Sequence, residues 1–289
     1  MAQNTKKRAS VKKKKASAKK KKKSTKATAR RKRSDKKTKI KRKYIILFAV
    51  AAVLIAALVI TAIAVNSRKP KNHSLAQFNN KKVWGIDVSS HNGEIDWKQV
   101  SSEAEFAFIR VGYRGYTEGE INYDKKANYN LKQANRNNLP VGVYFYSQAI
   151  NAQEAEDEAD AALKVIKKYD ISLPVVIDFE YASKGNALTG RLYEAGLSKN
   201  QNTVIINAFC DKVREAGYVP GIYASSFIYR SHLNVKNIPK DVFIWVADYN
   251  KTVTYFGYYD IWQYSDKGSC KGVSSQYVDT NYYYTKKRS

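Results

Sequence analysis

The stretch LPVVIDFEY, residues 173–181, is an apolar run that ends in two carboxylates separated by one aromatic residue. Because the run is short and the residues from Val175 to Ile177 are β-branched, it predicts a buried strand of an α/β sheet. Side chains two residues apart on a strand point to the same face, which places Asp178 and Glu180 together, with Cα atoms about 6.6 Å apart. Two acids that share one site can differ in pKa, as glycoside hydrolysis requires. For an isolated pair of this kind, the alternative is that Asp178 caps the next helix and that Glu180 is merely solvated.

From residue 83 onward, strand-like stretches alternate with helix-like ones. This alternation indicates a parallel sheet, and in a β/α barrel the reactive groups lie at the C-terminal ends of the strands. The strand ends should therefore converge on one mouth. Besides 175–179, the predicted strands cover residues 83–88, 106–111, 141–146, 219–224, 242–247 and 261–264.

Two helices are predicted between these strands, over residues 151–168 and 202–216. Asn151 is placed to cap the first of them, and Asp96 is placed to cap another helix before Trp97. Acidic residues cluster at the start of the first helix and lysines at its end, in accord with the helix dipole. We therefore interpret the acidic cluster as a solvated face rather than as catalytic groups; it comprises Glu154, Glu156, Asp157 and Glu158.

The predicted mouth combines carboxylates with aromatic rings. Apolar ring faces with hydrogen-bonding rims suit stacking on sugars, whose C–H faces are apolar and whose edges are polar. For any single ring, packing in the core is the alternative, since the chain contains 22 tyrosines. The candidate substrate-binding residues are Tyr144, Tyr146, Tyr223, Trp245 and Trp262.

The formal net charge of +27 is concentrated near the N-terminus. Residues 1–43 contain 23 lysines and arginines, one acid, Asp35, and no aromatic residue. A segment of this composition cannot bury enough apolar surface to fold, which predicts a disordered basic tail. The tail fits a topology signal that also contacts anionic lipid. Non-specific binding of nucleic acid is the alternative, although aromatic residues for base stacking are missing.

Residues 44–65 form a run of 22 residues without a charge. As a helix the run would measure about 33 Å, enough to cross a bilayer core of about 30 Å. It predicts one transmembrane helix; the alternative is a cleaved signal peptide, because Ala62 and Ala64 fit the small-residue cleavage pattern. The basic residues before it place the N-terminus in the cytoplasm. Everything after residue 65 is then outside, beginning with a polar linker over 66–82.

Cysteine and histidine are scarce in this chain. The two cysteines, Cys210 and Cys270, both fall in the part placed outside, where a disulfide is permitted but not required. They and the three histidines show no metal-ligand spacing, so we expect no zinc site.

Ordered motifs run through nearly all of residues 83–284. The first is WGIDVSSHNG at 84–93, followed by IDW at 95–97 and the segments FIR, YFYS, VVIDFE, GIYAS, IWVADY and IWQYS, and the last is VDTN at 278–281. Together they resemble glycoside hydrolase family 25, the Chalaropsis-type lysozymes. The resemblance implies a flattened, irregular β/α (TIM-like) barrel that needs no cofactor. It also implies hydrolysis of the β-1,4 bond between N-acetylmuramic acid and N-acetylglucosamine in peptidoglycan.

The resemblance also assigns roles to four acids. Glu180 matches the general acid that protonates the leaving oxygen, and Asp178 matches the carboxylate that stabilises positive charge or orients the substrate's acetamido group. Asp87 and Asp279 match two further acids of the site, with a turn or cap role as the alternative for each. The resemblance implies retention of anomeric configuration. Whether retention proceeds through a covalent enzyme intermediate or through the substrate's acetamido group stays open.

These observations predict a membrane-tethered muramidase whose residues 83–289 face the cell wall. Tethering would restrict cutting to wall within reach of the linker and favours local remodelling over bulk lysis. Two other classes remain open. One is a catalytically silent peptidoglycan-binding module on the same fold. The other is a membrane scaffold that acts through its cationic tail. The sequence does not determine the oligomeric state.

Overall fold

The computed structural model describes residues 43–56 and 82–284. Residues 43–56 form a helix, α1, with exposed side chains. Within the two described ranges, no helix has the length and hydropathy needed to cross a membrane. The predicted transmembrane segment 44–65 lies only partly within these ranges. The predicted tail and linker, apart from the last residue of each, lie outside them.

The C-terminal unit is built on a closed barrel. Eight strands form it in the order β1-β2-β4-β5-β8-β9-β10-β11, with β11 pairing back to β1; β3 extends the sheet from β2, and β6 and β7 form a separate hairpin. The strands of residues 82–284 are β1 (Lys82–Val88), β2 (Phe106–Arg114), β3 (Ile121–Tyr123), β4 (Val141–Ser147), β5 (Val175–Phe179), β6 (Ala182–Lys184), β7 (Ala187–Thr189), β8 (Pro220–Ser225), β9 (Phe243–Ala247), β10 (Ile261–Gly268) and β11 (Val278–Tyr284).

Six α-helices and two short 3-10 turns, Ser90–Asn92 and Val235–Asn237, accompany these strands within residues 82–284. Asn151 caps α4 as predicted, its side chain accepting from the Glu154 amide, and Asp96 caps α2 by accepting from Lys98 and Gln99. The helices are α2 (Trp97–Val100), α3 (Ala127–Arg136), α4 (Ala152–Ile166), α5 (Arg191–Glu194), α6 (Lys199–Glu215) and α7 (Ser226–Ser231).

The predicted parallel sheet is confirmed for the predicted strands, but the barrel has one further strand, β11, which the sequence analysis did not predict. Seven barrel strands run parallel, but β11 pairs antiparallel with both β10 and β1. Asp279, for which the sequence also allowed a turn, lies in β11. The antiparallel direction has a consequence for the site, because the start of β11 lies at the edge where the parallel strands end.

The barrel interior is filled largely by aromatic residues. The ring of Phe108 packs 4.6 Å from that of Trp245, and the rings of Phe243 and Tyr283 stack at 5.6 Å. Gly142 makes this packing possible, because a Cβ atom there would lie 2.3 Å from the Phe108 ring. A second apolar layer, between the barrel and its helices, forms the larger core. The aromatic filling supplies a floor beneath the C-terminal ends of the strands.

The acidic start of α4 is only partly a solvated face. Glu158 is fully buried and pairs with Arg114 of β2, with 2.7 Å between Oε1 and Nε. Glu154 is half-buried and pairs with Arg191 at 2.6 Å. The prediction is therefore wrong for Glu158, because its partner lies 44 residues away and no pattern local to the helix reveals it.

The two cysteines are not joined. Cys210, on α6, and Cys270, in the loop after β10, are both free and buried. Burial raises the pKa of Cys270 to about 12 and that of Cys210 further. Both are therefore thiols at neutral pH and not reactive thiolates.

Candidate active site

A cleft of about 250 Å³ opens at the C-terminal ends of the barrel strands. It gathers all four acids that the sequence singled out, from three different strands, together with four of the five candidate aromatic residues. The acids and rings that line it are Asp87, Asp178, Glu180, Asp279, Tyr144, Tyr146, Tyr223 and Trp245.

Asp178 lies in β5, the strand predicted from the sequence, and Glu180 directly follows that strand. Asp178 is buried, and its Oδ1 has no hydrogen-bond partner among the described residues. Burial and then the neighbouring Glu180 carboxylate raise the pKa of Asp178 well above its usual range. Burial and then the charge of Asp87 raise the pKa of Glu180 to about 7. The pair therefore holds at least one proton near neutral pH.

Asp87 and Asp279 form a second acid pair. They lie directly opposite each other in the antiparallel pairing of β1 with β11, and their side chains are hydrogen-bonded. Burial raises the pKa of Asp87 to about 6; burial and then the charge of Asp87 raise the pKa of Asp279 to about 8. Two carboxylates in contact cannot both ionise readily, so this pair shares a proton.

Two buried amides hold Asp87 in place. Gln263 and Asn281 donate to its Oδ2 at 2.9 and 2.8 Å. Both amides are themselves oriented: the Tyr223 hydroxyl donates to the Gln263 carbonyl at 2.8 Å, and the Trp245 indole donates to the Asn281 carbonyl at 2.9 Å. Two of the candidate aromatic residues therefore act on Asp87 through an amide.

Arg110 of β2 is a basic side chain that lines the same cleft. Its Nε donates to Asp124 at 2.9 Å, and its guanidinium also reaches the Ser90 hydroxyl at 3.3 Å. The main-chain amide of Ser90 donates to the same Asp124 oxygen at 3.0 Å. The positive charge of Arg110 lowers the pKa of Asp178 against the larger effect of burial. Arg110 therefore supports an ionised carboxylate in a cleft that otherwise favours neutral acids.

The predicted aromatic residues occupy three kinds of position. Tyr144 and Tyr146 are half-buried on the cleft wall, whereas Tyr223 and Trp245 are buried in its floor. Trp262 is not brought to the cleft. Its neighbour Gln263 points into the barrel, so alternation along β10 directs Trp262 to the opposite face. There its indole donates to the main-chain carbonyl of Asp248 at 2.7 Å.

The carboxylate of Asp248, directly after β9, accepts several hydrogen bonds. Burial alone would raise its pKa, but hydrogen bonds from Ser226, Thr254 and Asn250 lower it to about 2. The Ser226 hydroxyl lies 2.5 Å from the Asp248 carboxylate. These bonds fix the turn after β9. Within residues 43–56 and 82–284, no group of three or more histidine, cysteine or acidic residues is arranged to hold a metal ion.

Sequence reasoning did not propose Arg110, Gln263 or Asn281 as site residues, although each lies in a motif that it quoted. A signal was present for Gln263, which is an uncharged polar residue inside the strand predicted over 261–264, where burial requires hydrogen-bond partners. Asn281 gave no such signal, because no strand was predicted there. The sequence could not show that both amides bind Asp87, because Asn281 is 194 residues away from it.

A closed α/β barrel that collects paired carboxylates and aromatic rings at the C-terminal ends of its strands has the arrangement that glycoside hydrolysis uses. Residues 86–273 match the Glycosyl hydrolases family 25, and the chain belongs to that family. The family assignment agrees with the resemblance seen in the sequence and with the barrel.

Several known proteins are similar to this chain over part of their length. A lysozyme of the Lactococcus phage mv1 is 32% identical over 126 residues, which is 41% of this chain and 59% of that protein. The modular autolysin LytC from Streptococcus pneumoniae has a TM-score of 0.59 and 30% identity over 70% of this chain and 47% of its own. The spore cortex lytic enzyme SleM from Clostridium perfringens has the same fold, with a TM-score of 0.58 at 19% identity over 71% of this chain and 68% of its own. This chain therefore spans about half the length of the first two relatives.

Proposed function

We propose that this protein is a lysozyme, an N-acetylmuramidase that hydrolyses the β-1,4 bond between N-acetylmuramic acid and N-acetylglucosamine in peptidoglycan. The observation that carries the proposal is the position of Glu180, a carboxyl beside a second acid in a cleft, with its pKa raised to about 7. A general acid must hold a proton at the pH at which the enzyme works. Family membership and the LytC structure, solved with a synthetic peptidoglycan ligand, support the same substrate.

Glu180 acts as the general acid. Its carboxyl holds a proton near neutral pH because it is half-buried in the cleft and because Asp87 adds negative charge. The proton passes to the glycosidic oxygen as the bond to the sugar breaks, which leaves Glu180 as a carboxylate. That carboxylate can then take a proton from the water that completes hydrolysis.

Asp178 stabilises or orients the reacting sugar. Its buried Oδ1 has no partner among the described residues, so it is free to accept a hydrogen bond from the acetamido N–H of the substrate. Positive charge that develops on the sugar ring favours the ionised form of Asp178, as Arg110 already does. Asp87 contributes negative charge that keeps the proton on Glu180, and Asp279 shares a proton with Asp87 across the strand pair.

The test uses the full-length protein incubated with purified peptidoglycan, followed by reducing-end analysis and mass spectrometry of the released fragments. We expect fragments with N-acetylmuramic acid at the reducing end from the wild type and none from Glu180→Gln. Glu105→Gln, an exposed residue, is the matched control and should retain activity. Wall binding without release by the wild type would instead favour the silent binding module.

We also propose that residues 44–65 anchor the enzyme in the cell membrane as a single span, with the basic tail in the cytoplasm and the barrel facing the wall. The support is the uncharged run of 22 residues and the basic residues that precede it. In cells, the full-length chain should stay in the membrane fraction after alkaline extraction. The barrel should be digested by external protease while a tag on the N-terminus is protected. Release of a processed chain into the medium would instead favour the cleaved signal peptide.

The tail is proposed to contact anionic lipid of the inner leaflet. Its 23 basic residues carry no interleaved aromatic residue, which favours a charged lipid surface over base stacking. Binding of the tail peptide to vesicles with anionic lipid, and its loss with neutral lipid alone, is the expected result. A phenotype that needs the tail but survives Glu180→Gln would support the scaffold class instead.

A further inference from the structure

A buried ion pair lies behind the cleft and takes no part in the chemistry described so far. Glu158 of α4 is fully buried, Arg114 of β2 is 6% exposed, and their charged groups are 2.7 Å apart. The remaining Arg114 nitrogens donate to the main-chain carbonyls of Gly119 and Glu154, at 2.5 and 2.8 Å. A pair of this kind is weak support for stability, because apolar residues of similar volume often serve as well.

The carboxylate of Glu158 is directed at the end of β4. Its Oε1 accepts from the main-chain amide of Gln148 at 3.3 Å, and the Ser147 hydroxyl also bonds to this carboxylate. Ser147 is the last residue of β4, the strand that carries Tyr144 and Tyr146 into the cleft. The ion pair therefore fixes the main chain where the strand leaves the barrel.

Gln148 carries this constraint across to the general acid. Its side chain is fully buried, and its Nε2 donates to the main-chain carbonyls of Ser147, at 2.9 Å, and Glu180, at 3.0 Å. Its own amide oxygen has no partner among the described residues, so the amide serves as a donor alone. One nitrogen thus ties the end of β4 to the residue that follows β5.

A second ion pair braces the same turn from outside. Arg191 of α5 donates to the main-chain carbonyl of Gln148 at 3.0 Å and to both carboxylate oxygens of Glu154 at 2.6 and 3.0 Å. Glu154 in turn accepts from the Ile150 amide at 3.0 Å. The main chain from Ser147 to Ile150 is therefore held on both sides by charged groups.

We propose that the Arg114–Glu158 pair and Gln148 form a positioning unit that sets where the Glu180 carboxyl stands in the cleft. The inference rests on the proposed function, because it assigns the unit to the general acid. Glu158 fixes the Gln148 main chain, and the Gln148 amide fixes the Glu180 main chain. None of the three residues lines the cleft, so they are positioning residues and not catalytic ones.

Two variants of the full-length protein test the unit, each with a matched control on α4. Gln148→Met removes the donor to the Glu180 carbonyl at similar side-chain length and without removing a charge. Its control is Gln153→Met, the same change at an exposed position. Glu158→Gln removes the carboxylate that fixes Gln148, and Glu156→Gln is its control.

Three quantities are measured on each variant: kcat and KM on soluble glycan fragments, the midpoint of thermal unfolding, and the pKa of Glu180 from the 13C shift of its carboxyl. Displacement of a reacting group by a fraction of an ångström to 1 Å reduces rates strongly, so we expect kcat of Gln148→Met to fall about 10- to 100-fold with KM nearly unchanged. The pKa of Glu180 should fall, because a released main chain lets water reach the carboxyl. A purely structural role would lower the unfolding midpoint and leave both other quantities unchanged.

The proposal is overturned if Gln148→Met matches Gln153→Met in kcat and in the pKa of Glu180. If Glu158→Gln does not fold, Gln148→Met still decides the question. If the wild type releases no fragments from peptidoglycan, the proposed function fails. The pKa of Glu180 then tests the positioning unit by itself, since that readout needs no substrate.

Discussion

Replacing Glu180 by glutamine should abolish activity and stabilise the fold, and the size of the stabilisation follows from the site. The pKa of Glu180 is raised from 4.5 to about 7 by burial and then by Asp87, and no hydrogen bond contributes to the shift. Between these two values the folded state binds more protons than the unfolded state. Stability from this group is therefore fully present below pH 4.5 and is lost as the pH rises through 7.

The shift corresponds to about 3 kcal/mol at 1.36 kcal/mol per pKa unit. Glu180 is partly exposed, so we expect Glu180→Gln to be more stable than the wild type by about 1 to 3 kcal/mol at pH 8. For a domain of this size that is a rise of about 3 to 10 °C in the midpoint of thermal unfolding. At pH 4 the wild-type carboxyl is already protonated in the folded state, and the difference should nearly vanish.

The assay is thermal and urea unfolding of the wild type, Glu180→Gln and the exposed control Glu105→Gln at pH 4 and pH 8. Equal stabilisation at both pH values would refute the reasoning, because it would show that the gain comes from packing and not from charge. Destabilisation at pH 8 would show that the Glu180 carboxylate makes favourable contacts that its burial does not reveal. The control should differ little from the wild type at either pH.

Three further predictions concern the packing of the barrel, the buried cysteines and the lining of the cleft. Gly142→Ala should destabilise the fold by about 1 to 3 kcal/mol in urea unfolding, because the new methyl group would meet the Phe108 ring. Neither Cys210 nor Cys270 should react with a thiol reagent until the chain unfolds, since burial keeps both protonated; rapid modification of the native protein would contradict this. In calorimetry with inactive Glu180→Gln, Tyr146→Ala should weaken glycan binding, whereas Trp262→Ala should bind as before, because only Tyr146 lines the cleft.

Local patterns in the sequence predicted the elements on which the site depends. The strand predicted over residues 175–179 is β5, with the same bounds. Asp178 and Glu180 both line the cleft. Asn151 and Asp96 cap their helices as predicted. These features were predictable because strand alternation and helix capping depend on the nearest residues along the chain. Boundaries were less accurate, as β2 extends to Arg114 and α6 begins at Lys199.

Errors arose where a side chain depends on a distant partner. Glu158 has the sequence context of a solvated helix face, yet Arg114 on β2 makes it a buried ion. Trp262 has the context of a strand-end ring, yet the direction of Gln263 places it on the other side of β10. In both cases the local pattern predicted the helix or strand correctly. It did not reveal which residue from another element would lie next to the side chain.

By itself the sequence determined the α/β class, the strand that carries Asp178 and Glu180, and the family. Only the tertiary structure decided that Asp279 stands opposite Asp87 across an antiparallel strand pair, and that buried amides and Arg110 set the charges in the cleft. The physical reason is the range of the interactions. Backbone geometry is set by adjacent residues, whereas a pKa is set by burial and by charges that approach through space from any part of the chain.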